Sequence, residues 1–240
     1  VQVFSETGEF LHLWTTPDSS NGTPTAVGVG RDGRLLVPDT HYHRILEYSP
    51  DGELLAQWGA YGDGPNHFIY PTGIAQHADG RYFICEYGEN AERVRVFGDN
   101  RSQLAEWGSH GFEPGQFNRA MAVALDRDIL HVADTTNHRI QSFTLDGELI
   151  RVTGAVGNAP GSLRFPFDIA VDHRGTVAAV EYGNNRVSWF SHEGEFIGAF
   201  GGPGRGLGQF NEPRGIAVAP DGRVYVADTY NHRIQSFLPE

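Results

Sequence analysis

The 240-residue chain has little cysteine, no long apolar run and a shortage of positive charge. Its single cysteine, Cys85, excludes an intrachain disulfide, and its place in the apolar run 82–85 predicts a buried, unreactive thiol. No apolar run approaches the roughly 18 residues that a membrane helix needs, and no signal peptide opens the chain. The 18 Lys plus Arg against 30 Asp plus Glu give a net charge of -12. Such a charge repels phosphate backbones and disfavours a nucleic-acid partner.

The chain does have a repeat of nearly constant length. In each copy an acidic residue closes the second of two apolar runs, and these residues follow one another at 47 or 48 positions: Asp39, Glu86, Asp134, Glu181 and Asp228. Periods near 40 to 50 residues with several short strands per unit are typical of β-propellers. Because a repeat array has no internal boundary, we expect one domain over residues 1–240.

One copy of the repeat reads as four short strands separated by turns. In the last copy apolar runs at 215–218, 224–227 and 233–237 are separated by turn residues, and Asp-Gly-Glu turns lead to a fourth run in other copies, as at 51–58. The pattern predicts an all-β fold, a β-propeller of four-stranded antiparallel blades with five complete repeats. No long segment has the period of a helix.

The number of strands leaves the closure of the ring open. We count five first, five second, six third and five fourth strands, the additional third strand being residues 1–4. Either five blades close when residues 9–14 dock outside residues 233–237, or a six-bladed ring lacks strands at its start. Since the chain begins inside a repeat and without Met, we expect that a targeting segment or further sequence preceded Val1.

Residues 213–237, with counterparts at 24–48, 71–97, 119–143 and 166–190, resemble the NHL repeat, which is named for its Asn-His-Leu motif. The resemblance implies a β-propeller, in that family usually one of six blades. It also implies a protein-interaction platform or sensor outside the cytoplasm, in the periplasm or secreted.

Residues that all copies share are expected to build the blade. Four copies place Arg five positions after the acidic residue, and the second copy places Arg93 seven after Glu86, so that a charge-assisted pair can join strands two and three. Three histidines also share a repeat position, namely His43, His138 and His232. We expect them on separate blades, too far apart to bind one zinc ion.

Residues that differ between copies are the better candidates for function. The linkers between blades and the turns between strands two and three emerge on the face that holds the channel mouth, where propellers commonly bind ligands. The hypothesis is a polar and aromatic ligand surface formed by Asp168, Arg214, Arg119, Glu86, Tyr87, Glu181 and Tyr182. In the alternative interpretation, the two glutamates replace Asp in the blade and the tyrosines only pack at the rim.

Two classes of function follow from these patterns. Residues 51–75 resemble stretches of the peptidyl-amidoglycolate lyases, in which zinc-binding histidines follow the repeat proline. Here those positions hold Thr25, Thr72, Ala120, Phe167 and Arg214. We therefore predict a non-catalytic scaffold, without cofactor or metal, that binds a protein, peptide or small polar ligand. The alternative is a metal-dependent lyase or lactonase-like hydrolase with an axial site around Asp168.

Overall fold

The structure is a computed structural model that describes residues 1–22 and 24–238. A two-stranded sheet comes first, formed by β1 (Gln2–Phe4) and β2 (Phe10–Leu13). The first blade contains β3 (Gly28–Val29), β4 (Leu35–Asp39), β5 (Arg44–Tyr48) and β6 (Leu54–Trp58). The second contains β7 (Pro71–Gln76), β8 (Tyr82–Glu86), β9 (Arg93–Phe97) and β10 (Gln103–Trp107).

The remaining blades repeat this order. The third contains β11 (Ala120–Asp126), β12 (Ile129–Asp134), β13 (Arg139–Thr144) and β14 (Leu149–Thr153). The fourth contains β15 (Pro166–Val171), β16 (Val177–Glu181), β17 (Arg186–Phe190) and β18 (Phe196–Gly201). The fifth contains β19 (Gly215–Val218), β20 (Val224–Asp228) and β21 (Arg233–Phe237). Single 3₁₀ turns lie at Thr40–Tyr42, Thr135–Asn137 and Thr229–Asn231.

The fold is the predicted all-β propeller. The described residues form five blades of antiparallel strands, four of them four-stranded. Within residues 1–22 and 24–238 the fifth blade has three strands, and β2 pairs with β1 rather than with β21. The closure in which residues 9–14 dock outside the fifth blade is therefore not formed. No helix in the described part of the chain is long and apolar enough to cross a membrane.

Aromatic and aliphatic side chains between neighbouring blades form the core. Trp58 of the first blade contacts Phe68, Tyr82 and Phe97. Ile45 packs in the same cluster, with both strand-two and strand-three residues of the second blade. Aromatic residues that end strands three and four, such as Phe97 and Trp58, thus pack between neighbouring blades.

The predicted acid–arginine pairs are present in all five blades. The N–O distances are 2.8 Å for Arg44–Asp39, 2.9 Å for Arg93–Glu86, and 2.7 Å for Arg139–Asp134, Arg186–Glu181 and Arg233–Asp228. In the third blade the same Arg139 also donates to the carbonyls of Phe112, Glu113 and Gln116, each at 2.8 Å. Each pair therefore stabilises the hairpin of strands two and three, and in this blade it also holds the preceding linker.

Candidate functional site

A cavity of about 700 Å³ lies where the first strands of the blades converge. Its wall consists largely of small and aliphatic side chains. Asp168 and Arg214 are charged side chains in this wall. The cavity also reaches outward to Val1 and Gln2 on one side and to Ile234 on the other. The cavity, called the channel below, therefore extends from the first strands toward the gap between β1 and the fifth blade.

The predicted arrangement of loops around the channel is present. In four blades the backbone N–H at the start of the turn between strands two and three donates to the carbonyl at the end of the preceding linker. The pairs are Tyr87 to Tyr70, Thr136 to Asn118, Tyr182 to Phe165 and Tyr230 to Asn211, at 3.1–3.2 Å. Linkers and turns thus form one face, and side chains from both reach its rim.

Asp168 lies at the channel wall on β15. Its Oδ1 accepts a hydrogen bond from the backbone N–H of Ile169 at 2.9 Å, and its Oδ2 accepts one from the N–H of Ile216 at 3.0 Å. Burial raises the pKa of this carboxyl to about 6, although both hydrogen bonds favour the charged form. Asp168 is therefore a link between the fourth and fifth blades as well as the acid of the channel.

Arg214 lies at the start of the fifth blade, with its guanidinium among aromatic rings. The central carbon of the guanidinium is 5.4 Å from the centre of the Phe167 ring, 5.6 Å from that of Tyr182 and 5.5 Å from that of Tyr230. Its Nη2 lies 3.5 Å from a carboxylate oxygen of Glu212, while its Nε is buried without a hydrogen-bond partner. The rings hold the cation by cation–π attraction and leave donor groups unused.

Arg119 and Tyr87 form a separate group, away from the cavity wall. The guanidinium of Arg119 lies 5.0 Å from the centre of the Tyr87 ring, which in turn stacks on Tyr70 with centres 5.4 Å apart. Arg119 is exposed. The structure thus brings Arg214 and Tyr182 together and places Arg119 and Tyr87 in a second cluster. Asp168 lies on the wall of the cavity that Arg214 also lines.

Glu86 and Glu181 have no surface with which to touch a ligand, because both are fully buried. Glu86 bonds to Arg93, and burial raises its pKa. Glu181 accepts hydrogen bonds from Arg186 at 2.7 Å and from Ser188 at 2.5 Å. Both glutamates therefore take the place of the Asp that ends strand two in the other blades, as the alternative interpretation states.

The sequence alone does not single out Tyr70, Phe165 and Glu212. All three occupy the position directly before the repeat proline, and each contacts a residue of the face: Tyr87, Tyr182 and Arg214 respectively. The sequence does offer one signal for these residues: the residue type at this position differs from repeat to repeat, and the third repeat has Asn118 there.

The described residues of the site do not offer the ligand set that a metal ion needs. Within 1–22 and 24–238, no three His, Cys, Asp or Glu side chains come together as a ligand set. The histidines before strand three lie in three different blades, and His138 uses its Nδ1 to accept the N–H of Phe165 at 3.0 Å. The two oxygens of Asp168 already accept backbone N–H groups, so its environment does not fit a metal that needs several oxygen ligands.

Comparison with known proteins supports the repeat and the fold. The NHL repeat model matches residues 210–237. The chain is 32% identical over 148 residues to NHL repeat-containing protein 2 of Gallus gallus, which covers 61% of this chain and 15% of that protein. It is 28% identical over 140 residues to peptidylglycine alpha-amidating monooxygenase of Rattus norvegicus, covering 51% of this chain and 14% of that protein.

A solved structure of streptogramin B lyase is similar to the whole chain. The TM-score is 0.67 at 16% identity, with 100% of this chain and 76% of that chain covered. At this identity the likeness establishes the fold alone. The chain thus carries an NHL repeat on a β-propeller, and it spans only a small part of the curated relatives.

Proposed function

We propose that this protein is a non-catalytic binding module that holds the acidic group of a peptide or small polar ligand beside Arg214, at the mouth of the channel. The observation that carries the proposal is the state of the guanidinium. It is held among the rings of Phe167, Tyr182 and Tyr230 and its side chain is 39% exposed, yet its contact with Glu212 is 3.5 Å long.

A carboxylate suits this guanidinium better than a neutral group does. Arginine presents its N–H donors in a planar fork that matches two carboxylate oxygens, and charge-assisted bonds of this kind are short and strong. The contacts with the three rings restrict the side chain before a ligand arrives, so that less side-chain freedom is lost on binding. Asp168, on the wall of the same cavity, disfavours a second negative charge deeper in the channel.

The enzyme alternative is supported by the names of relatives, a monooxygenase and a lyase. Against it stands the chemistry of the channel wall, where the acid Asp168 is already hydrogen-bonded through both oxygens. Elemental analysis of the dialysed protein separates the two functions. About one equivalent of zinc or calcium per chain would favour the enzyme.

The binding proposal is tested with a set of short peptides, each prepared as a free C-terminal acid and as the matched amide. Ligand-detected NMR should find acids that bind while their amides do not. The substitution Arg214→Ala should weaken binding of these peptide acids by at least about tenfold, because it removes hydrogen bonds to a charged group. Arg214→Lys keeps the charge and loses the planar fork, so intermediate affinity is expected.

Arg205→Ala is the matched control, since it removes one positive charge from an exposed position in the linker before Arg214. Its affinity for the same acids should equal that of the wild type. If the acids bind Arg214→Ala as well as the wild type, or if amides bind as well as acids, the proposed role of Arg214 is wrong.

A further inference from the structure

The ring contains an incomplete sixth position beside the fifth blade. Aligned on the repeat, Phe4 corresponds to the aromatic residue that ends strand three in each blade, such as Tyr48, and Trp14 corresponds to Trp58 on strand four. The sheet of β1 and β2 therefore holds strands three and four of a blade. In the described chain, nothing pairs with the edge of β1 that faces the axis.

This half-blade is attached to the first blade in the ordinary way. Val1 and Trp14 pack against Val37 and Tyr48, in a cluster like those between the other blades. The half-blade is thus seated in register with the ring, and the two inner strands of its blade are what the position lacks.

The walls of the empty position are apolar and accessible. On the fifth blade Ile234 is 62% exposed, whereas its repeat counterparts Ile45, Val94, Ile140 and Val187 are at most 2% exposed. On the first blade Val27 is 57% exposed, whereas its counterparts Ile74, Ile169 and Ile216 are at most 8% exposed. Since the chemistry of the positions is the same, the difference comes from the neighbour that covers the other blades.

We propose that this opening takes up a β-hairpin with the pattern of strands one and two of the repeat, supplied by polypeptide other than these 240 residues. The second strand of the hairpin would pair with the free edge of β1, and the first would line the channel between β19 and β3. This is β-augmentation, in which backbone hydrogen bonds supply affinity and apolar side chains supply specificity.

The third blade shows how such a hairpin would meet its wall. There Val123 of β11 and Val132 of β12 pack in one cluster with Val94 of the preceding blade. Ile234 is the repeat counterpart of Val94, so an incoming hairpin of this kind would bury Ile234 in the same manner. Burial of exposed aliphatic walls on both sides is the driving force for uptake.

The probe is a synthetic hairpin of residues 119–134, added to the whole chain. Binding should raise the melting temperature and slow amide exchange in β1. The control peptide carries Val123→Thr and Val132→Thr, which keep shape and strand propensity but lose apolar surface, and we expect it to bind about tenfold more weakly.

On the side of the chain, Ile234→Lys should weaken binding of the probe by at least about tenfold, because it removes an apolar contact and places a charge in the wall. Leu207→Lys is the matched control, since Leu207 is also exposed but lies in the linker before the fifth blade. It should bind the probe as the wild type does.

Three results would overturn the inference. In the first, the probe does not bind or binds the Ile234→Lys variant equally well. In the second, sedimentation shows a dimer of the chain that Ile234→Lys disperses, so that a second copy covers the opening. In the third, a variant that carries Val29→Cys and Ile234→Cys rapidly forms an intrachain disulfide, so that the ring closes on itself.

Discussion

Asp168 is half-buried and His131 is buried, and burial shifts the pKa values of these two titratable side chains in opposite directions. Burial raises the pKa of Asp168 to about 6 and lowers the pKa of His131 to about 4, because in each case it disfavours the charged form. His131 keeps a hydrogen bond with the hydroxyl of Ser142 at 2.9 Å. Relative to the unfolded chain, burial therefore shifts each group toward its neutral form.

The sign of the pH dependence follows from proton binding. Between the ordinary pKa of 3.8 and about 6, the folded chain binds more protons at Asp168 than the unfolded chain does. The contribution of Asp168 to stability is thus greatest at low pH and decreases as pH rises through this window. His131 contributes in the opposite sense, since the unfolded chain binds its proton more tightly.

Asp168→Asn removes this titration, so the difference in unfolding free energy between wild type and variant should depend on pH. We expect the variant to lose less stability than the wild type as pH rises from about 4 to 6. Denaturant unfolding at several pH values measures the difference, in which the contribution of His131 cancels. A difference that is constant with pH would contradict the raised pKa.

At the scale of the structural element, the acid at the end of strand two organises each blade. Asp134 accepts hydrogen bonds from Arg139 at 2.7 Å, the N–H of Asn118 at 2.8 Å, Asn137 at 2.9 Å and Gln141 at 3.1 Å. A single carboxylate thus joins the linker, the turn and strand three. Glu181 joins the same parts of the fourth blade, since it accepts hydrogen bonds from the N–H of Arg164, from Asn184 and from Arg186.

Asp134→Ala should lower the unfolding free energy by about 3–5 kcal/mol, because it leaves Arg139 charged and unpaired in a buried site. Denaturant unfolding provides the measurement. As a control, Asp99→Ala removes an exposed acid that pairs with Arg31 at 2.8 Å, and it should cost less than about 1 kcal/mol. Equal losses for the two variants would mean that burial of the pair does not matter.

The glycine that follows strand four is a second element-scale requirement. Gly108 has φ +102°, and a Cβ there would lie 2.5 Å from the ring of Phe117 and 3.2 Å from the Cα of Arg93. Gly59 and Gly201 stand in the same relation to Phe68 and Phe210. The linker therefore folds back so that its aromatic residue covers the end of the blade.

Gly108→Ala should destabilise the protein by about 1–3 kcal/mol, since the added methyl group clashes in a close-packed place and the backbone angle is strained. Gly202→Ala is the appropriate comparison, because no atom lies within 4 Å of a Cβ at that position. Thermal unfolding of both variants tests the explanation. If Gly108→Ala has the same melting temperature as the wild type, the linker can shift to make room for the methyl group and the close contact is not required.

At the scale of the whole molecule, burial is uneven around the ring. The strand-three residues of the second and third blades are almost all buried. In β21 of the fifth blade, by contrast, every second residue is exposed, and β3 of the first blade is only partly covered. Elements with few buried contacts open at lower cost than the rest of a fold. Repeat proteins show this strongly, because each unit is stabilised mainly by its neighbours.

Amide exchange should therefore be faster in β1–β3 and β19–β21 than in β7–β18. Hydrogen exchange with mass spectrometry resolves these segments. We expect the difference to diminish when the hairpin of residues 119–134 is present, if the opening takes it up. Uniform exchange around the ring without the hairpin would show that the ends of the array are as stable as its middle.

Much of the fold could be predicted because its causes are local in sequence. Apolar runs, turn residues and the regular acid–arginine spacing place 21 strands in the correct order, including the additional third strand at Gln2–Phe4. The site was less accessible to such reasoning. Position in the repeat placed Asp168 and Arg214 at the channel, but could not show that Glu86 and Glu181 are buried or that Tyr70 lies beside Tyr87.

The repeat, the strands and the acid–arginine pair of each blade follow from the order of residues alone, since they depend on alternation and spacing within about 50 residues. Which variable residues meet depends on the folded chain, because Arg214, Tyr182 and Phe167 come from different elements of neighbouring blades. The pairing of β2 with β1 and the exposure of Ile234 also depend on the folded chain. Contacts between blades depend on which neighbour is present, and no spacing within one repeat records that.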